Sequence, residues 1–295
     1  MSETAAALPS SPWFRFAPAF FVVMWSSGFV SAKLGLPYAE PLTFLCIRLA
    51  IVAALFALLA LAVRARWPAT WREAGHIAAA GALVQGFYLG GVFWAISRGL
   101  GAGIVALIMG LQPLLTAAAA GIVLGEKVTI RQWIGLAVGF AGVALVVTDR
   151  DTSGLDNAAA LAANAVALLA LAAGVLYQKR HAVAMDLRSG SAIQFAISAL
   201  LTGAGAVLTE DMRVEWTGEF VLAMSWLVLA LSLGTSIVFL QLIRHGAAAK
   251  VSSLFYLVPA VTALMAFALF DERLSPVALA GMAVAIVGVA MATRN

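Results

Sequence analysis

Long apolar runs divide this chain, with short polar punctuation between them. Ten such stretches stand at 16–36, 41–63, 74–97, 103–124, 131–148, 158–178, 191–209, 220–243, 251–270 and 275–293. Each suits a helix crossing a hydrocarbon core, which takes about 20 mostly apolar residues for a thickness of about 30 Å. Lipid offers the backbone no hydrogen-bond partners, so a spanning segment must satisfy itself as a helix. The connections are short, and nothing between the runs is long enough for a soluble domain. The pattern predicts an all-α integral membrane protein.

The pattern also occurs twice. With a constant offset of 146 positions and no gap, Pro113 falls on Pro259, Glu126-Lys127 on Glu272-Arg273, and Gly135 and Gly142 on Gly281 and Gly288. The same offset places Arg98 on Arg244, Glu73 on Glu219, Gly28 on Gly174 and Lys33 on Lys179. Residues 16–148 and 158–293 are therefore two copies of one five-helix unit. Residues 149–157 (DRDTSGLDN) link them outside the cytoplasm, and residues 1–15 form a disordered tail with no signal-peptide pattern.

Charge then fixes orientation. With a cytoplasmic N-terminus, twelve Lys and Arg lie in the inner loops and tails, five in the outer loops (Lys33, Arg98, Arg150, Arg213, Arg273), and Arg48 lies within a helix. This positive-inside bias puts both termini in the cytoplasm. Five helices per copy force the second copy to enter the membrane from the opposite side. Inverted repeats of this kind are the architecture of secondary transporters, in which one sequence folded both ways gives two access states. A duplicated structural or enzymatic bundle is the alternative.

Composition agrees and excludes other classes. The chain is 63% hydrophobic and 11% charged, with a mean hydropathy of +1.00, against roughly a quarter charged in soluble domains. The net charge of +4 belongs to loops and implies no nucleic-acid partner. One cysteine, Cys46, permits no internal disulfide. There is no HExxH, the three histidines (His76, His181, His245) fall near helix ends, and GIVLGEK at 121–127 lacks phosphate-loop spacing. No enzyme, metal, cofactor or ATPase subunit is implied. A small molecule, the bilayer and a monomeric working unit are the expected partners and state.

Polar residues inside apolar helices are the candidate chemistry. Trp25, Ser27 and Ser31 give the first helix a polar middle, Ser27 and Ser31 sharing a face, while Ser26 and Gly28 suit helix contacts. Gln85 and Tyr88 in the third helix, Asn164 in the sixth, and Ser232, Thr235, Ser236 and Gln241 in the eighth are candidates for a midplane cavity; hydrogen bonds between helices are the competing use. Pro113 and Pro259 would kink the fourth and ninth helices, freeing the carbonyls at Met109 and Phe255 and supplying hinges. Met109, Gln112, Ser252, Ser253 and Tyr256 cluster beside them. Arg48 has two readings, a contact for a substrate carboxylate or a structural tether. It lies about 10 Å below Pro41 at 1.5 Å per residue, within snorkelling reach of the outer surface. Its counterpart Gln194 is uncharged, which favours the tether. Gly135, Gly139 and Gly142 in the fifth helix, echoed by Gly281, Ala285 and Gly288 in the tenth, are small-residue stripes that allow tight helix contact, so both helices are expected to brace the bundle away from substrate.

WSSGF in the first helix, Pro41 and Arg48 in the second, and Pro113 followed by Gly125-Glu126 together resemble the drug/metabolite transporter superfamily, in its EamA-type ten-helix exporters; the second copy departs from that pattern, with Asp271-Glu272 in place of Gly-Glu and Gln194 in place of Arg. The resemblance spans nearly the whole chain and implies secondary export across a bacterial inner membrane. The overall look is similar to YddG-type exporters of aromatic and neutral amino acids. A small neutral or zwitterionic metabolite, foremost an aromatic amino acid, is thus the expected substrate, with a sugar or nucleoside as the alternative. The absence of acids deep in the helices argues against tight proton coupling and for facilitated efflux.

Overall fold

In a computed structural model of the chain, residues 13–125, 128–148, 155–182, 185–234 and 257–293 are described. They form helices α1 (Trp13–Gly35), α2 (Pro41–Ala62), α3 (Trp71–Gly81), α4 (Tyr88–Ser97), α5 (Ala102–Met109), α6 (Gln112–Leu124), α7 (Ile130–Thr148), α8 (Leu155–His181), α9 (Leu187–Thr209), α10 (Gly218–Ser225), α11 (Val258–Phe270) and α12 (Pro276–Thr293). A π-helical stretch, π1 (Ala82–Phe87), joins α3 to α4, and another, π2 (Trp226–Gly234), extends α10. Among the described residues seven helical segments are long and apolar enough to span a membrane, and three shorter apolar ones complete ten.

The repeat is visible in the backbone. Offset by 146, α6 maps end to end on α11, α1 and α8 end together, and α2 and α9 start together. Gly125 (φ 71°) and Asp271 (φ 50°) both close their helices in the left-handed conformation, a helix end that glycine adopts without steric cost. Each helix packs on its counterpart or on a neighbour from the other copy: α2 on α9, α4 on α8, α1 on α11 and α10, and α5 on α11. The most extensive contact is α7 on α12. A Cβ added at Gly142 would stand 2.4 Å from the Ala285 nitrogen, and one at Gly288 would stand 2.4 Å from the Gly139 nitrogen. Backbone therefore lies directly on backbone, as expected of the brace.

The outward face is apolar too. Leu58, Leu61, Leu200, Leu208 and Leu264 are well exposed, an arrangement that lipid, unlike water, accepts. The buried core runs through α2, α4 and α5 and meets Phe220 and Leu227 of the second copy.

Several sequence expectations change: α1 starts at Trp13, within the expected tail, and α8 at Leu155, within the expected linker. Helix α8 continues through the basic run to His181, because cations in a last turn suit the negative end of the helix dipole. Helix α9 starts at Leu187, four residues earlier than expected, since Asp186 accepts a hydrogen bond from the Arg188 N–H at 2.8 Å as an N-cap. The fourth span is interrupted rather than kinked. Helix α5 ends at Met109, a tight turn follows with Leu111 N–H on Ile108 O (3.1 Å), and Pro113 occupies the first turn of α6, where its missing N–H costs nothing.

Candidate functional site

A cavity of about 250 Å³ lies where the two copies meet. The first copy contributes Trp25, Gly28, Phe29 and Ala32 from α1, Arg48 from α2, Val84 and Gln85 from π1, and Tyr88, Leu89, Val92 and Phe93 from α4. The second contributes Leu171 from α8, Phe195 from α9, and Leu231 and Ser232 from π2. Two helical stripes account for most of the wall. Residues 25, 28, 29 and 32 are one face of α1, and residues 85, 88, 89 and 92 follow the same i, i+3, i+4, i+7 spacing. Gly28 is small because Leu231 crosses it closely; an added Cβ would stand 2.7 Å from Leu231 Cδ2.

Both π-helical stretches border this cavity, Gln85 sitting in one and Ser232 in the other. A π turn widens the helix by one residue and is a recurrent feature of functional sites. In π2 it lets the Ser232 hydroxyl donate to the Leu227 carbonyl five residues back at 3.0 Å.

Among the described residues, Arg48 is the only charged side chain lining the cavity. It is 4% exposed and does not snorkel outward. Its Nη2 donates to Ser232 Oγ at 3.5 Å, its guanidinium lies 6.0 Å from the Phe93 ring centroid, and its Nε has no hydrogen-bond partner among the described residues. Gln194, its counterpart, instead donates to Gln178 Oε1 at 3.2 Å and packs directly on Gly81.

Several other candidates are placed elsewhere. Ser27 is consumed by structure, donating to Met24 O at 2.6 Å and accepting from Trp226 Nε1 at 2.7 Å. Asn164 is fully buried and ties α8 to α5 through Val105 O at 3.5 Å. Met109 lies in the core, outside the cavity wall. Ser236, Ser252 and Tyr256 lie outside the described residues. The aromatic wall formed by Phe29, Phe93 and Phe195 went unread in the sequence; the α1 stripe starting at Trp25 was the available signal for Phe29.

The proline segments meet at the same seam. A Cβ on Gly110 would lie 3.0 Å from Pro259 Cγ, so the interruption of the fourth span faces the first turn of α11. Ser26 donates to Val258 O at 3.3 Å beside it.

A charge pair stands beside the cavity. Lys33, next to the cavity residue Ala32, pairs with Glu272 in the α11–α12 connection and stands 4.8 Å from the Phe270 ring centroid. The Glu272 carboxylate also accepts from the Ala102 N–H that opens α5, at 3.4 Å. On the same side, Glu210 caps α2 by accepting from Leu42 N–H, Thr43 N–H and Thr43 Oγ1 at 2.7–2.8 Å.

The EamA-like transporter family model matches residues 16–148 and again 158–294, the two copies seen in the fold. The transporter YvbV of Bacillus subtilis is 28% identical over 92% of this chain and 89% of its own length. The inner membrane transporter YedA of Escherichia coli is 24% identical over 92% of this chain and 87% of its own length. A solved crystal structure, 17% identical, aligns over 94% of this chain and 96% of that one with a TM-score of 0.66, a likeness of fold. With two family units in tandem, ten apolar helical segments and a cavity at their seam, the chain is a multi-pass membrane transporter and belongs to the EamA-like transporter family.

Proposed function

We propose that the protein is a secondary exporter of the bacterial inner membrane that carries small neutral or zwitterionic metabolites, foremost aromatic amino acids, by alternating access. The observation carrying this reading is the cavity at the seam of the two copies, with Gln85 and Tyr88 set among aromatic walls. Apolar surface receives the substrate's side chain and the few polar groups fix its head. The relative YedA is named an inner membrane transporter, and the positive-inside bias supports cytoplasmic termini. Rocking of one copy against the other would open the Lys33–Glu272 side, taken as the outside, with Pro113 and Pro259 as hinges. No acid lies deep in a helix, so facilitated efflux is the expected mode.

The test is uptake of labelled phenylalanine, then threonine, into proteoliposomes with and without a pH gradient. Saturable uptake that unlabelled amino acid competes away supports the reading; stimulation by the gradient would refute facilitated efflux. No uptake above empty liposomes would refute the amino-acid assignment and turn attention to sugars and nucleosides. Alanine at Gln85 and Tyr88 should impair transport, as should alanine at Pro113 and Pro259; unchanged rates would refute the cavity and hinge assignments respectively.

A further inference from the structure

Arg48 presents an imbalance of charge. Its guanidinium is buried in the cavity wall, and its contacts are a hydroxyl at the limit of hydrogen bonding and the face of Phe93. A buried cation is costly unless an anion or a full set of acceptors meets it. The chain holds no such anion. All fourteen Asp and Glu fall in tails, connections or first helical turns, and none occurs between residues 74 and 125, 157 and 185, or 220 and 270. No carboxylate of this protein can therefore stand beside Arg48 at the depth of the cavity. A tether would look different, and the structure contains the comparison: at the inverted-repeat counterpart, Gln194 is hydrogen-bonded and packed on backbone.

Resting on the reading of this cavity as the transport site, we infer that the substrate supplies the missing anion: the carried molecules are apolar carboxylates, gripped at the carboxylate by Arg48. A guanidinium fork matches a carboxylate with two parallel hydrogen bonds, and the unpartnered Nε is one of its donors. Trp25, Phe29 and Phe93 receive the apolar remainder. The same absence of acids has a second result. A substrate ammonium meets only neutral acceptors, such as Gln85, Tyr88 and Ser232, so the amine is dispensable for recognition. An aryl-alkanoate lacking the amine belongs to the substrate class together with the amino acid, and an aryl-alkylamine does not.

The experiment measures binding of phenylalanine, 3-phenylpropanoate and phenethylamine to the purified full chain by calorimetry, with proteoliposome uptake of each alongside. The carboxylate without the amine should bind at least as tightly as phenylalanine, and phenethylamine about tenfold more weakly or worse, the factor expected when one charge-assisted contact is lost. Arg48→Gln should erase that discrimination without lowering the melting temperature of the ligand-free protein, since it removes an unbalanced buried cation; a tether would lower it. Arg48→Lys, which keeps the charge and loses the fork, should fall between. Phenethylamine binding as tightly as 3-phenylpropanoate, binding by none of the three, or undiminished discrimination in Arg48→Gln would overturn the inference. The ligand series on the unmodified protein decides even where a variant fails to fold. Phenylalanine uptake without carboxylate preference would sink this inference alone, whereas carboxylate binding without uptake of any compound would sink the exporter reading and leave the Arg48 anchor standing.

Discussion

In the proposed alternating-access cycle, replacing Glu272 by Gln should ease opening on the Lys33–Glu272 side. Side-chain exposure is 31% for Lys33 and 17% for Glu272. The pair thus lies between an exposed ion pair, worth up to about 1 kcal/mol, and a buried one, whose breakage costs about 3–5 kcal/mol. A loss of about 2 kcal/mol is the working magnitude, and it multiplies the population open on that side about 30-fold. The assay starts from Cys46→Ala, which removes the native thiol. Leu89→Cys then places a reporter on the cavity wall, and whole cells are labelled with a membrane-impermeant maleimide. The rate should rise about 30-fold in Glu272→Gln if opening limits access. Lys33→Met should reproduce the effect, and the double variant should add little, because both changes break one interaction. Acceleration within about twofold, the usual error of additivity, would refute the lock. Acceleration only in inside-out vesicles would keep the lock and reverse the proposed orientation.

Other consequences are simpler to check. Gly288→Ala should destabilise the protein by about 1–3 kcal/mol or more, since the new methyl overlaps backbone of α7 that cannot move aside; thermal unfolding in detergent reports it, and an unchanged midpoint would mean that the α7–α12 seam is looser than described. Ser27→Ala orphans the Trp226 Nε1–H and should cost about 1 kcal/mol or slightly more, while leaving the KM for transport unchanged, because Ser27 does not line the cavity. A rise in KM would return Ser27 to the site. Glu210→Ala removes the carboxylate that caps α2 through two backbone N–H groups and should cost about 1–2 kcal/mol, read as a lower unfolding midpoint with transport of the remaining folded protein intact.

Fold was the more legible part of this chain, for physical reasons. Length and apolarity mark a spanning helix because lipid leaves no other solution, and the register of Pro113 with Pro259 located the second copy, as the matched bounds of α6 and α11 confirm. Charge marks the end of an apolar run but not of a helix: Lys179 and Arg180 stop the run, and the helix continues to His181. The cavity was legible at Trp25, Gln85 and Tyr88, and illegible at Ser27 and Asn164, because a lone polar residue in a membrane helix looks the same whether it faces a cavity or bonds a neighbour. Phe93 and Phe195 carry no signal of their own, since an apolar residue in a membrane helix faces lipid, core and cavity alike. The neutral Gln194 favours a tether at Arg48 on the sequence alone; in the structure both are buried, but Gln194 is hydrogen-bonded to Gln178 while Arg48 Nε has no partner among the described residues.

The π-helical stretches bear on the history of the chain as well as its shape. Residues 82–87 and 226–234 overlap when one copy is shifted onto the other, so a turn with one residue too many occurs at the same place in both. A surplus residue inside a buried helix is not gained twice at one site by drift with any ease, since each gain rotates everything downstream and disrupts its packing. The wide turn is then older than the joining of the two copies. The ancestral half already carried it. What has diverged since is chemical: one copy holds a buried cation at position 48, and the other an amide at position 194.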